Sequence, residues 1–220
     1  MELVADLVSP TWRWGAWALF CVLLAHAAWR APWWWLRQPG SMNVFMGALT
    51  GVLVLWQIRA GLGSGPYLHL LGATLLTLAF GWQLAFIGLA LVVAGDTAFG
   101  GGDWASYGVN MLVCGVVPVT VAYRFARLVE RIGSNFFLYV FGVAFAGGAV
   151  TIAAVAAASV GVLVSSHPER MDYFVHDYLP TWILLLFPEA FVTGGLLTLA
   201  VVYRPTWIVS FDDRRYIDGH

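Results

Sequence analysis

The stretch "YLHLLGATLLTLAFGWQLAFIGLALVVAG", residues 67–95, decides how the whole chain is organised. It contains 29 residues and no Asp, Glu, Lys or Arg, and the segment "FGWQ" at 80–83 interrupts it. A transmembrane helix needs about 20 apolar residues to cross the hydrocarbon core of a bilayer. The stretch is therefore either one overlong helix or two short helices joined at 80–83.

The composition of the rest of the chain is typical of a membrane protein. Hydrophobic residues make up 60% of the 220 residues, charged residues make up 10%, and the mean hydropathy is +0.79. A soluble domain carries about 25% charged residues. We therefore predict an all-α, polytopic integral membrane protein, with residues 1–220 as a single transmembrane domain. Further uncharged or nearly uncharged runs predict spans at about 11–29, 41–57, 106–123, 136–164 and 178–203.

The distribution of arginines distinguishes the two interpretations of residues 67–95. With two short helices the chain crosses seven times, and eight arginines fall on one side of the membrane against three on the other. With one helix, Arg124, Arg127 and Arg131 change sides and the bias largely disappears. Cytoplasmic loops carry the excess of basic residues. We therefore predict about seven transmembrane helices, including a short-helix hairpin at 67–95 with limbs of about 14 residues and about 20 Å each.

The same rule orients the chain in the cell (inner) membrane. The N-terminus, residues 1–10, is expected outside the cytoplasm, and the polar tail, residues 205–220, is expected inside it. Limbs as short as those of the hairpin do not span lipid alone, so neighbouring helices must shield them. Short paired helices of this kind often frame a binding site.

The sequence motifs argue against an enzyme. Ser64 lies in "GLGSG", which lacks the first glycine of the G-x-S-G box of intramembrane serine proteases. No G-x-x-x-x-G-K-[ST] loop is present, so the chain itself is not expected to hydrolyse ATP. The basic residues are all arginines and are scattered, which argues against nucleic acid as a partner.

A few polar residues are candidates for function. His69 lies at the start of the 67–95 stretch, and the predicted topology places it on the outer side with His167 and His176. Imidazoles among acidic outer loops would attract divalent cations. Glu189 lies well inside the last span, where a carboxylate is costly and is normally functional or paired. It could be protonated, bonded to Asn110 or to an arginine, or a direct ligand.

Small residues recur at helix-packing spacing in the second span. Gly47 and Gly51 lie four residues apart, on one face of a helix. Such faces let helices approach closely. They serve either packing within the bundle or docking to another membrane subunit.

Several segments, in order along most of the chain, resemble the CbiM/NikM-type nickel/cobalt-binding subunits of energy-coupling-factor (ECF) transporters. Residues 65–96 are similar to the family's "GHLLGG" box, which is followed by a break and a second short helix. "LVSP" at 7–10 resembles the family's "FLSP". "YGVNMLVCGVV" at 107–117 is similar to its asparagine-containing span, with Asn110 in the matching place. "GGLLT" at 194–198 resembles its "EGLIT".

This resemblance implies a set of metal ligands. In the family the metal lies in a plane of nitrogens from the α-amine of residue 1, the amide and imidazole of a histidine at residue 2, and the histidine of the "HLLGG" box. Met1 and His69 match two of these positions, and square-planar nitrogen suits Ni(II) and Co(II). Glu2 replaces the chelating histidine, and Gly194 replaces the family's glutamate. A tetrahedral zinc site with Glu2, His69 and His167 or His176 is a less favoured alternative.

The resemblance also implies a function. The chain would be the substrate-capture permease subunit of an ECF-type ABC transporter for a divalent cation of the cobalt/nickel class, with no permanently bound cofactor. Its partners would be a transmembrane coupling subunit, docked through a face such as Gly47 and Gly51, and cytoplasmic ATPase subunits. The alternatives are a non-transporting membrane scaffold or assembly protein that has lost the metal site, and a transporter of a non-metal substrate.

Overall fold

The structure, a computed structural model, describes residue 3 and residues 5–59, 68–100 and 102–216. Each regular element of these residues is a helix. We number the main ones α1 (Pro10–Arg30), α2 (Trp33–Leu36), α3 (Ser41–Trp56), α4 (Ala73–Ala98), α5 (Tyr107–Ile132), α6 (Leu138–Ser166), α7 (Pro168–Tyr203) and α8 (Asp213–Tyr216). Short π-helical segments occur within α5, α6 and α7, at Leu112–Val116, Leu138–Ala146 and Phe174–Tyr178.

The long helices are those of a membrane protein. Four of them, α4, α5, α6 and α7, are long and apolar enough to cross a bilayer, and α3 is a shorter apolar helix. The all-α, polytopic fold predicted from the sequence is therefore confirmed. The count of seven crossings stays a prediction.

The backbone of α4 breaks at Gly81. This residue has φ +79° and ψ 163°, inside an otherwise helical run. Only glycine adopts that conformation readily, because a Cβ atom would clash with the backbone. The break divides α4 into a first limb, residues 73–80, and a second limb, residues 82–98, and it falls within the predicted interruption at 80–83.

The contacts of α4 with α3 show that the chain reverses at this break. Just before α4, the carbonyl of Leu71 accepts a hydrogen bond of 3.1 Å from the indole of Trp56, the last residue of α3. Near the end of α4, the carboxylate of Asp96 accepts a hydrogen bond of 2.9 Å from the side-chain amide of Gln57, the residue that follows Trp56. Between them, Phe80 packs on Phe45 in the first turns of α3, with ring centroids 5.1 Å apart. The two limbs therefore form a hairpin.

The predicted lengths of the two limbs were wrong. Residues 68–72 are not helical, and the first limb begins only at Ala73, after Gly72 in a left-handed conformation with φ +64°. The second limb continues to Ala98. At 1.5 Å per residue the limbs are about 12 and about 25 Å long, instead of about 20 Å each.

The two ends of the hairpin define two ends of the bundle. At the break, the N–H groups of Val209 and Ser210 donate to the carbonyls of Ala79 and Leu78, at 2.9 and 3.1 Å. These carbonyls belong to the last turn of the first limb, which has no helical partners for them. We call this end the tail end, and the opposite end, where residues 68–72 lie, the site end.

Gly47 and Gly51 do not serve helix packing within the part of the chain that the structure describes. A Cβ atom added to either would meet nothing within 4 Å. The close approach occurs elsewhere, between α6 and α7, where a Cβ atom at Gly148 would lie 3.1 Å from the Cα of Ala190. Of the two interpretations of this glycine pair, internal packing is therefore wrong, and docking stays a prediction.

Candidate metal centre

His69 lies in the interior at the site end, in the non-helical segment before α4. Its exposed fraction is 2%. The indole of Trp56 packs against its ring, with ring centroids 4.3 Å apart. This contact with a rigid aromatic side chain fixes the plane of the imidazole.

The hydrogen bonds of His69 leave one ring nitrogen available. Its Nδ1 lies 3.0 Å from the carbonyl of Leu70. Because a carbonyl only accepts, Nδ1 carries the hydrogen in this contact. The Nε2 atom is buried and has no hydrogen-bond partner among the residues that the structure describes. A neutral imidazole in this tautomer presents its Nε2 lone pair, which is the usual arrangement of a metal-ligating histidine.

Glu189 holds the segment that carries His69. The N–H of Leu71 donates to its Oε2 at 2.8 Å, and the N–H of Gly72 donates to its Oε1 at 2.9 Å. Glu189 lies in α7 and is 2% exposed. The predicted partners, Asn110 and an arginine, were wrong, since backbone amides far away in the sequence take both carboxylate oxygens.

Asn110 binds the N-terminal segment instead. Its Oδ1 accepts from the N–H of Leu3 at 2.8 Å, and its Nδ2 donates to the carbonyl of Leu3 at 3.3 Å. Both residues are buried. The amide of Asn110 thus pairs with the N–H and the carbonyl of Leu3 as the backbone of a neighbouring β-strand would. Met1 and Glu2, the other predicted ligands, lie outside the described residues.

His167, just before α7, and His176, within α7, have a different environment. The Nδ1 of His167 lies 2.9 Å from Glu169, and the Nδ1 of His176 lies 3.0 Å from Asp172, so each contacts an acid of its own segment. The side chain of His176 is 72% exposed. Across residues 3, 5–59, 68–100 and 102–216, no group of three or more His, Cys, Asp or Glu side chains is placed to hold a metal ion.

Sequence reasoning missed Trp56 and an ion pair near it. Arg59, which follows α3, pairs with Asp96, which is fully buried near the end of the second limb. The sequence contains a signal for this pair. The two residues carry opposite charges, and the hairpin brings the end of α3 and the end of α4 together. Trp56 has no such signal, because it is one of 12 tryptophans in the chain.

The packing around Gly194 leaves no room for a larger side chain at this position. A Cβ atom at Gly194 would lie 2.2 Å from the ring of Phe145. A glutamate therefore has no room at this position unless Phe145 moves. The buried carboxylate of the last span occurs at Glu189 instead, where it reaches residues 71 and 72.

Comparisons with known proteins agree with this fold. The chain is similar to a solved structure described as "Crystal Structure of an Truncated Transition metal Transporter", with a TM-score of 0.71, 19% identity, and coverage of 92% of this chain and 98% of that one. A second, described as "Crystal Structure of an transition metal transporter", has the same score and identity and covers 90% and 92%. At this identity the likeness shows the shared fold. No curated protein sequence matches the chain significantly.

The family comparison covers nearly the whole chain. The family CbiM, described as "Cobalt uptake substrate-specific transmembrane region", matches residues 3–207. The matched region contains His69, its supporting residues and all the long helices. The chain therefore belongs to the CbiM family, and it is a multi-pass membrane component of cobalt/nickel-class metal transport.

Proposed function

We propose that the chain is the substrate-capture subunit of an ECF-type ABC transporter and binds a Co(II) or Ni(II) ion at His69. The observation that carries the proposal is the buried Nε2 of His69, which has no partner in the described residues. A buried polar atom without a partner is costly, by about 1–3 kcal/mol. A metal ion bound through that lone pair would remove this cost.

The anchored N-terminal segment supports Met1 as a second ligand. Asn110 fixes the backbone of Leu3 in the interior. Two residues of extended chain span at most about 7 Å, so the α-amine of Met1 lies within that reach of Leu3. An α-amine has a pKa of about 7.7–8.0 and can deprotonate near neutral pH to bind metal. Glu2 would be a weaker, oxygen ligand, which a square nitrogen plane accommodates poorly.

The proposed coupling partner would dock on α3. Gly47 lines an apolar groove of about 660 Å³ between α3 and α7, where a Cβ atom added to this glycine would meet nothing within 4 Å. Since the chain has no nucleotide-binding loop, separate cytoplasmic ATPase subunits would supply the energy. The proposed orientation places the site end outside the cytoplasm and the tail end inside it.

Metal titration tests this proposal. The protein would be purified with a free N-terminus and titrated calorimetrically with Ni(II), Co(II) and Zn(II), beside His69→Ala and the matched control His176→Ala, whose ring is exposed. We expect one Ni(II) or Co(II) per chain, an affinity at least about 100-fold weaker in His69→Ala, and no change in His176→Ala. Equal binding by His69→Ala, or none by the wild type, would contradict metal capture. A stable complex with an unrelated membrane enzyme would then favour the scaffold interpretation.

A further inference from the structure

We infer that Glu189 is a positioning residue for the metal site: its carboxylate sets the position of the His69 imidazole and thereby the preference for a square-planar ion. The inference rests on the proposed function. It concerns the buried carboxylate of the last long helix, α7.

The geometry of the contact points to positioning. The two oxygens of Glu189 accept the N–H groups of two successive residues, Leu71 and Gly72, at 2.8 and 2.9 Å. His69 is two residues before the first of them. The indole of Trp56 donates to the carbonyl of Leu71 at 3.1 Å. Three hydrogen bonds from two helices therefore fix two consecutive peptide groups next to His69.

The burial of Glu189 shows that the contact is not incidental. Its exposed fraction is 2%, in the middle of an apolar helix. A carboxylate in such a place is costly and persists only when it is paired or functional. The two groups that donate to its oxygens at 2.8 and 2.9 Å are not cations but backbone amides of the segment that carries His69. The carboxylate therefore acts on that segment.

Glu189 acts through backbone amides and not on the metal. Its oxygens already accept two hydrogen bonds, so it supports a ligand in the way that outer-sphere partners do. Misplacement of one ligand affects Ni(II) more than Zn(II), because the d-electrons of Ni(II) favour a nitrogen plane, whereas those of Zn(II) impose no geometry. Loosening the segment should therefore change metal selectivity as well as affinity.

The test compares Glu189→Gln with the control Thr151→Val. Glutamine keeps the shape but turns one acceptor into a donor that faces an N–H group. Thr151 is also buried in an apolar helix, and its hydroxyl has no hydrogen-bond partner among the described residues, so valine removes a buried polar group without breaking a hydrogen bond to the His69 segment. Two readouts are needed: calorimetric affinities for Ni(II) and Zn(II), and the rate at which diethyl pyrocarbonate modifies His69 in metal-free protein, located by mass spectrometry.

We expect Glu189→Gln to lose about 10- to 100-fold in Ni(II) affinity and clearly less in Zn(II) affinity. His69, protected in the wild type, should react at least several-fold faster, while His167 and His176 react as before. Thr151→Val should match the wild type in both readouts. Equal losses for the two metals, or unchanged His69 reactivity, would overturn the inference.

Two further results separate the possible failures. If Glu189→Gln does not fold, Glu189→Asp and Trp56→Phe replace it. The first keeps a carboxylate and the second keeps an aromatic ring, and each weakens the hydrogen bonds that hold the segment of His69. If the wild type binds neither metal, the proposed function fails. His69 reactivity then still decides whether Glu189 holds the segment, because that readout needs no metal.

Discussion

His69 differs from His167 and His176 in what its nitrogens contact. Its Nδ1 faces a backbone carbonyl and its ring packs on Trp56, whereas His167 and His176 contact nearby acids. The sequence predicted His69 as a candidate through its place in the "HLLGG"-like box. It could not predict the protonation pattern, because Leu70 contributes a backbone carbonyl, and backbone groups carry no sequence signal.

The same limit applies to the two buried polar side chains in the spans. Asn110 and Glu189 were recognised as unusual because polar residues in apolar helices are costly. Their partners are backbone groups 107 and 117 or 118 positions away. Such partners depend on the fold and not on residue type, so pairing rules based on side chains predicted the wrong contacts.

Asn110→Ala tests the anchoring of the N-terminal segment. The change removes both hydrogen bonds to Leu3, so the backbone two residues after the α-amine of Met1 loses its anchor. We expect Ni(II) affinity to fall about 10- to 100-fold, as for other supporting residues of metal sites. Calorimetry measures this, with Asn135→Ala, an exposed asparagine three residues before α6, as the control. An unchanged affinity in Asn110→Ala would mean that the amine is not a ligand.

At the scale of the element, the hairpin α4 connects the two ends of the bundle. Its first limb begins next to the segment held by Glu189 and Trp56, and it ends where the tail caps its carbonyls. The arginine distribution predicted the reversal, because a single helix would have removed the charge bias. It did not predict that the first limb starts at Ala73, since that boundary depends on the left-handed Gly72 and on the contact with Glu189.

Gly81→Ala tests the backbone of the break. With φ +79° and ψ 163°, alanine is strained at this position, by about 1–3 kcal/mol. We expect a lower temperature of unfolding in detergent, measured by intrinsic fluorescence. The matched change Gly195→Ala lies in helix α7, where a Cβ atom meets nothing within 4 Å, and it should leave the temperature unchanged or raise it. If the two variants unfold alike, the break does not require glycine.

In the whole molecule, capture of a metal ion from outside requires the site end to face away from the cytoplasm. The predicted orientation follows from the arginines alone, eight against three. Gln38 is exposed near the tail end, between α2 and α3, and Met171 is exposed at the site end, near the start of α7. These two positions report on opposite sides.

Cysteine labelling in intact cells tests the orientation. Cys21 and Cys114 are first replaced by serine, and Gln38→Cys or Met171→Cys is added. A membrane-impermeant thiol reagent should label Met171→Cys directly and Gln38→Cys only after permeabilisation. The reverse pattern would place the metal site on the cytoplasmic side, and capture from outside would be wrong.

The position of the bound metal ion decides whether His69 is a ligand. Crystals grown with Co(II) would be measured at the cobalt absorption edge, where anomalous scattering locates the ion. We expect one peak at bonding distance, about 2 Å, from the Nε2 of His69. No peak there, or a peak only beside His167 or His176, would contradict this expectation.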